Sequence, residues 1–168
     1  MLRQAGVEVK WRECSAANCP EDLAPGELSM HAAVWKPATT RVETLGFAFL
    51  EGNSETGASV AAVYYPMVRQ MAQNLGLKEA PILGAAMAHE IGRLLGVGHS
   101  AAGVMSATFN RPRIVEMTQG WPLFERDQAS RMRAEVLRRT NGASASGDAI
   151  LSRKRETSVN QTALAVRY

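Results

Sequence analysis

Apolar positions in residues 1–65 fall in short runs that turn-forming residues interrupt. Val7 to Trp11 alternates apolar and polar residues, and Leu28 to Trp35 is a mixed apolar run. Leu45 to Leu50 reads Leu-Gly-Phe-Ala-Phe-Leu, and Val60 to Tyr65 is β-branched and aromatic at its ends. These runs have the period and composition of strands. Pro20, Pro25-Gly26, Pro37 and Gly52-Asn53-Ser54 separate them and act as breakers. A small sheet is expected here. After Pro66 the period lengthens: Met67, Val68, Met71, Ala72 and Leu75 share one face of a helix over 66–76, closed by Gly76. A second helix follows Pro81 and runs over 82–95, stopping at Gly96.

Residues 97–123 are rich in Gly, Pro, Ser and Thr and read as an irregular loop. A third helix over 124–139 gathers Phe124, Ala129, Met132 and Val136 on one side. Arg126, Arg131, Arg133, Arg138 and Arg139 then fall largely elsewhere, as a solvated face. Residues 141–168 open with Asn-Gly-Ala-Ser-Ala-Ser-Gly and have no sustained period, so a flexible tail is expected. The pattern predicts one domain over 1–140, of α/β (α+β) class with a small mixed sheet, followed by that tail.

Composition narrows the function classes. The 168 residues suit one domain, and 46% hydrophobic with 21% charged residues is an ordinary globular balance. No apolar run reaches the roughly 20 residues that span a bilayer. The charged start, Met-Leu-Arg-Gln-Ala-Gly-Val-Glu-Val-Lys, lacks the apolar stretch of an export signal. No membrane partner is expected. The net charge of +3 owes much to the tail, where Arg153, Lys154, Arg155 and Arg167 outnumber Asp148 and Glu156. Residues 1–140 carry fifteen basic against fourteen acidic side chains, without aromatic interleaving, so no nucleic-acid partner is expected. Cys14 and Cys19 suit either a small disulfide in an oxidising compartment or two cytosolic thiols, and two cysteines are too few for an all-Cys zinc site.

The second helix carries the candidate chemistry. At about 100° per residue, Leu83, Met87, Ile91 and Leu94 form one side, expected in the core. Ile82, Ala85, Ala86, His89, Arg93 and Gly96 form the other, a small-residue floor from which His89 projects. Glu90 lies a quarter-turn round, and Gly96 frees the chain to bend so that His99 returns toward His89. Gly84 and Gly92 each cost the helix about 1 kcal/mol against Ala, which points to close approach by another backbone.

The stretch His89-Glu90-Ile91-Gly92-Arg93-Leu94-Leu95-Gly96-Val97-Gly98-His99 resembles the metzincin zinc peptidases, whose signature is His-Glu-x-x-His-x-x-Gly-x-x-His followed by a methionine turn. His89, Glu90, Gly96 and His99 match at the family spacing, and Gly103-Val104-Met105 stands where the methionine turn would be. Ala88 to Gly92 and Leu95 to Ser100 look especially like the matrixin branch. The resemblance extends over roughly residues 40–140, with motif-grade specificity in 88–105. It implies a zincin-like fold: a small twisted sheet, a packing helix at 66–76, an active-site helix, a Met-turn and a C-terminal helix. It also implies a Zn²⁺ cofactor held by His89 and His99, with Glu90 as the catalytic base that takes a proton from metal-activated water. Met105 would be an apolar floor. Leu45, Gly46, Phe47, Ala48 and Phe49 would hold an extended peptide or protein substrate by strand addition. A monomer is expected.

One position departs from the signature. Where the family has its middle zinc histidine this chain has Arg93, which stays protonated and offers no lone pair. Three readings follow. The protein is a non-catalytic relative that binds peptide without metal, with Arg93 pairing Glu90 or occupying the metal position. Alternatively, zinc is held by His89, His99 and a third residue, His31 and the acidic side chains being candidates. Or the sequence is altered there, since one base change separates a His from an Arg codon. The family's sheet also begins with a strand and a long helix before the segment matching Val7 to Trp11. Such proteins are commonly exported, so a lost leader would account for the cysteine pair. The function expected is a zinc metallopeptidase, with a degenerate, inactive peptide-binding module as the alternative.

Overall fold

The structure, a computed structural model, describes residues 1–14, 23–24, 26–38, 44–49, 59–119, 123–147 and 163–167. Cys19, Leu50, the turn residues Pro20, Pro25 and Gly52-Asn53-Ser54, and tail positions 148–162 lie outside them. A 3₁₀ turn at Leu2–Ala5 precedes β1 (Glu8–Arg12), β2 (Glu27–Ala33), β3 (Gly46–Ala48) and β4 (Val60–Tyr64). Helices α1 (Tyr65–Leu75), α2 (Glu79–Leu94), α3 (Arg111–Thr118) and α4 (Arg126–Gly147) follow, and β5 (Ala163–Arg167) is last. The class is mixed α+β. The five strands order β1-β5-β2-β4-β3; all neighbours are parallel except β3, which runs antiparallel to β4 at the edge. Among the described residues, no helix is long and apolar enough to cross a membrane.

Local chemistry sets the helix ends. Pro66 sits in the first turn of α1, where a missing N–H costs nothing, and Gly76 closes the helix in the left-handed conformation. Helix α2 begins at Glu79, earlier than the 82–95 span expected, because the first turn accommodates Pro81 and favours the Glu79 carboxylate. The 97–123 stretch, expected to be irregular throughout, contains α3: the Asn110 side chain accepts a 3.0 Å bond from the Arg113 N–H, and Pro112 lies in the first turn. In α4, Gln128 reaches back to the Glu125 N–H at 3.0 Å, half of a capping box. The helix continues through Gly147, and Ala163–Arg167 joins the sheet between β1 and β2, where a flexible tail is expected from 141.

The core lies between the sheet and α2, where Leu28, Met30, Ala61 and Val63 meet Ile82, Ala85, Ile91 and Leu95. Two face assignments differ from expectation. Helix α2 is buried almost all round, as suits a central helix: Ile82 and Ala85, placed on the floor side, are fully buried, whereas Leu83 and Met87, placed in the core, are only partly covered. On α4, Arg139 is not on a solvated face; it is buried, its Nε 2.8 Å from Glu135 Oε1 and its Nη2 donating to Leu94 O at 2.7 Å. That carbonyl at the end of α2 has no partner within its own helix, so Arg139 caps it. Arg133 likewise reaches Ala5 O at 2.8 Å. Cys14 is disulfide-bonded.

Candidate active-site cleft

The end of α2 places the site. The Gly96 N–H donates to Arg93 O at 3.0 Å and the Val97 N–H to Gly92 O at 2.9 Å, a Schellman closure that needs the left-handed φ of 77° at Gly96. Val97 is buried behind it, and the reversed chain brings His99 alongside α2, its ring centroid 5.2 Å from that of His89. The next turn is tied back by the Ser100 N–H, which donates to Met105 O at 2.9 Å, and by the Val104 N–H, which donates to Leu123 O at 2.9 Å.

That turn grips α2 in two places. His89 Nδ1 lies 2.8 Å from Val104 O; a carbonyl only accepts, so Nδ1 carries the proton and the Nε2 lone pair is left open. Burial above all keeps this imidazole neutral, helped by the nearby His99 and Arg93 and opposed by the carbonyl. Met105, fully buried, lies so close to Gly92 that a Cβ there would stand 2.5 Å from its Sδ. The approach expected at Gly92 is therefore real, but it is made by a side chain rather than a backbone. Gly84 has no such neighbour, the nearest atom being Met1 Cε at 3.9 Å.

Glu90 points the other way, toward the edge strand: a Cβ on Gly46 would meet Glu90 Oε1 at 3.0 Å and Ala62 O at 2.5 Å. Burial pushes its carboxyl up to about 7, with the Arg93 cation working against that. A carboxyl poised near neutrality suits proton transfer.

A cavity of about 750 Å³ opens beside this part of α2, within the size range of ligand clefts, and Glu90, Arg93 and Met105 are not among its lining residues. His89 and His99 line it together with Leu45 and Gly46 of the edge segment. Phe47 and Phe49 do not; they stack edge to face at 4.8 Å, Phe49 being 58% exposed, while Ala48 is half-buried. Sequence reasoning missed Ser106 and Phe109, which complete the wall; Phe109 stands edge-on to His89 at 6.0 Å. Their only signal is that they follow the Gly103–Met105 turn. Ala86 was within reach, three residues before His89 on the same helix face.

Arg93 does not pair with Glu90. Its Nη1 lies 3.4 Å from Val97 O, a long bond. His31 is exposed on β2, its Nε2 2.9 Å from Ser29 Oγ. Among the described residues, no three His, Cys, Asp or Glu side chains are grouped to hold a metal ion. Two imidazoles and a guanidinium do not make the three-ligand site of a catalytic zinc. No family model, curated protein or solved structure matches the chain.

Proposed function

We propose that the chain is a metzincin-like, zincin-type domain that binds extended polypeptide in the cleft between β3 and α2, with a metal site short of one ligand. The observation that carries this reading is the single cavity shared by His89, His99 and the edge strand. Among the described strands β3 is the outermost, the edge to which a peptide would add as a further strand. Leu45 and Gly46 put that edge directly beside the two imidazoles. The test is binding of labelled extended peptides, followed by anisotropy with and without a chelator. Affinity that a chelator leaves unchanged, and that a proline in the middle of the peptide abolishes, is expected.

A second reading, an active zinc metallopeptidase, is favoured by Glu90, whose buried carboxyl near neutrality suits a general base. It needs a third ligand outside the described residues. Its test is peptide hydrolysis that disappears in Glu90→Gln and on chelation.

A further inference from the structure

A second cavity, of about 330 Å³, lies on the other side of α2 and falls at the lower end of the size range of ligand pockets. At about 100° per residue, its lining residues Gly84, Met87, Ala88 and Ile91 point away from Ala86 and His89, which line the cleft. No residue borders both cavities. The opposite wall is built from Met1 and Leu2 at the N-terminal turn and from Val7, Val9 and Trp11 of β1.

This chamber is apolar and incompletely covered. Met1, Leu2, Val9 and Met87 are only partly buried, and Trp11 is 44% exposed. Gly84 costs the helix stability, yet nothing packed against it requires a glycine: a Cβ there would meet only Met1 Cε, at an ordinary 3.9 Å. Met105 accounts for Gly92, whereas what Gly84 provides is open space.

The charge at this chamber is positive. Arg3 lines it, is exposed, and takes part in none of the ion pairs among the described residues. Arg133 adds a second guanidinium beside the same turn, donating to Ala5 O at 2.8 Å. Glu8 also borders the cavity, but side chains alternate along β1; Val7 and Val9 turn inward, so the Glu8 carboxylate lies on the opposite face of the sheet. An apolar chamber with a cation at its edge complements an aliphatic chain that ends in a carboxylate.

We propose that this cavity binds a free fatty acid of medium chain length, its hydrocarbon between β1 and α2 over Gly84 and its carboxylate at Arg3. The site shares only α2 with the cleft and stands whether or not the cleft binds peptide.

The test titrates the full chain with octanoate, hexanoate, octanol and octylamine by calorimetry. Octanoate is expected to bind about tenfold more tightly than hexanoate, which buries two fewer methylenes, and about threefold or more tightly than octanol, with octylamine weakest. In Gly84→Leu, whose side chain takes up the cavity, octanoate binding should be lost while the melting temperature holds or rises, the sign that the variant folds. In Arg3→Gln, at an exposed position, octanoate should fall to the level of octanol; Arg131→Gln, on the exposed face of α4, should change nothing. A lower melting temperature in Gly84→Leu leaves the decision to Arg3→Gln. No saturable binding, or octanoate binding that survives in Gly84→Leu, overturns the site. Octanoate, octanol and octylamine bound alike, or Arg3→Gln without effect, overturns the fatty-acid assignment.

Discussion

Gly84 and Gly92 are the same residue on the same helix, about two turns apart, and their surroundings are opposite. Gly84 faces a cavity of about 330 Å³ bordered by Met1, Val9, Trp11 and Met87. Gly92 is pressed against Met105 Sδ and, at 3.4 Å, against Phe124 Cε1. The early part of α2 is loosely covered. The later part is clamped by the Val104 carbonyl on His89, by Met105 under Gly92 and by Arg139 on Leu94 O. These contacts fall at the end of the helix that carries His89 and Glu90.

This contrast is breakable by substitution. Met105→Ala empties a fully buried position and should cost about 2–5 kcal/mol in denaturant unfolding. Met87→Ala, at the loosely covered end, should cost about 1 kcal/mol or less; equal losses would erase the distinction. Glu90→Gln sharpens it through pH. In the metal-free protein the folded carboxyl titrates near 7, above the ordinary 4.5, so the folded state holds the extra proton between those values; wild-type stability falls across that window and levels off above 7. The variant should match wild type near pH 4 or below and exceed it near pH 8 by up to about 3 kcal/mol, measured as paired melts; a gap independent of pH would show that the carboxyl is not buried as described. Gly92→Ala should lose about 1–3 kcal/mol by overpacking. The smallest effect, Gly84→Ala, has the opposite sign: a gain of about 0.5–1 kcal/mol from helix propensity.

What was legible in the sequence was local. The alternation in β1, the β-branched and aromatic ends of β4, the period of α1 and the spacing from His89 to Met105 all report neighbours along the chain. The start of α2 was displaced because a proline reads as a boundary although the first turn accepts it. Helix α3 was overlooked because the Gly, Pro, Ser and Thr scattered through 97–123 read as an irregular loop, yet Asn110 and Pro112 carried the start signal. The burial of Arg139 has no local signature, since its reason is a carbonyl on another helix. The place of β5 between β1 and β2 is a long-range pairing that no periodicity announces. In the cleft, the motif named the two histidines that line the cavity, but the wall at Ser106 and Phe109 depends on how the following turn folds back.

The central claim is that one residue, Arg93, separates this cleft from a complete zinc site, and zinc stoichiometry tests it most directly. After chelator treatment, zinc loading and exhaustive dialysis, wild type should retain well under one zinc per chain, and Arg93→His about one, held by three imidazoles. Stoichiometric, tightly held zinc in the wild type would contradict the account, as would none in the folded Arg93→His variant.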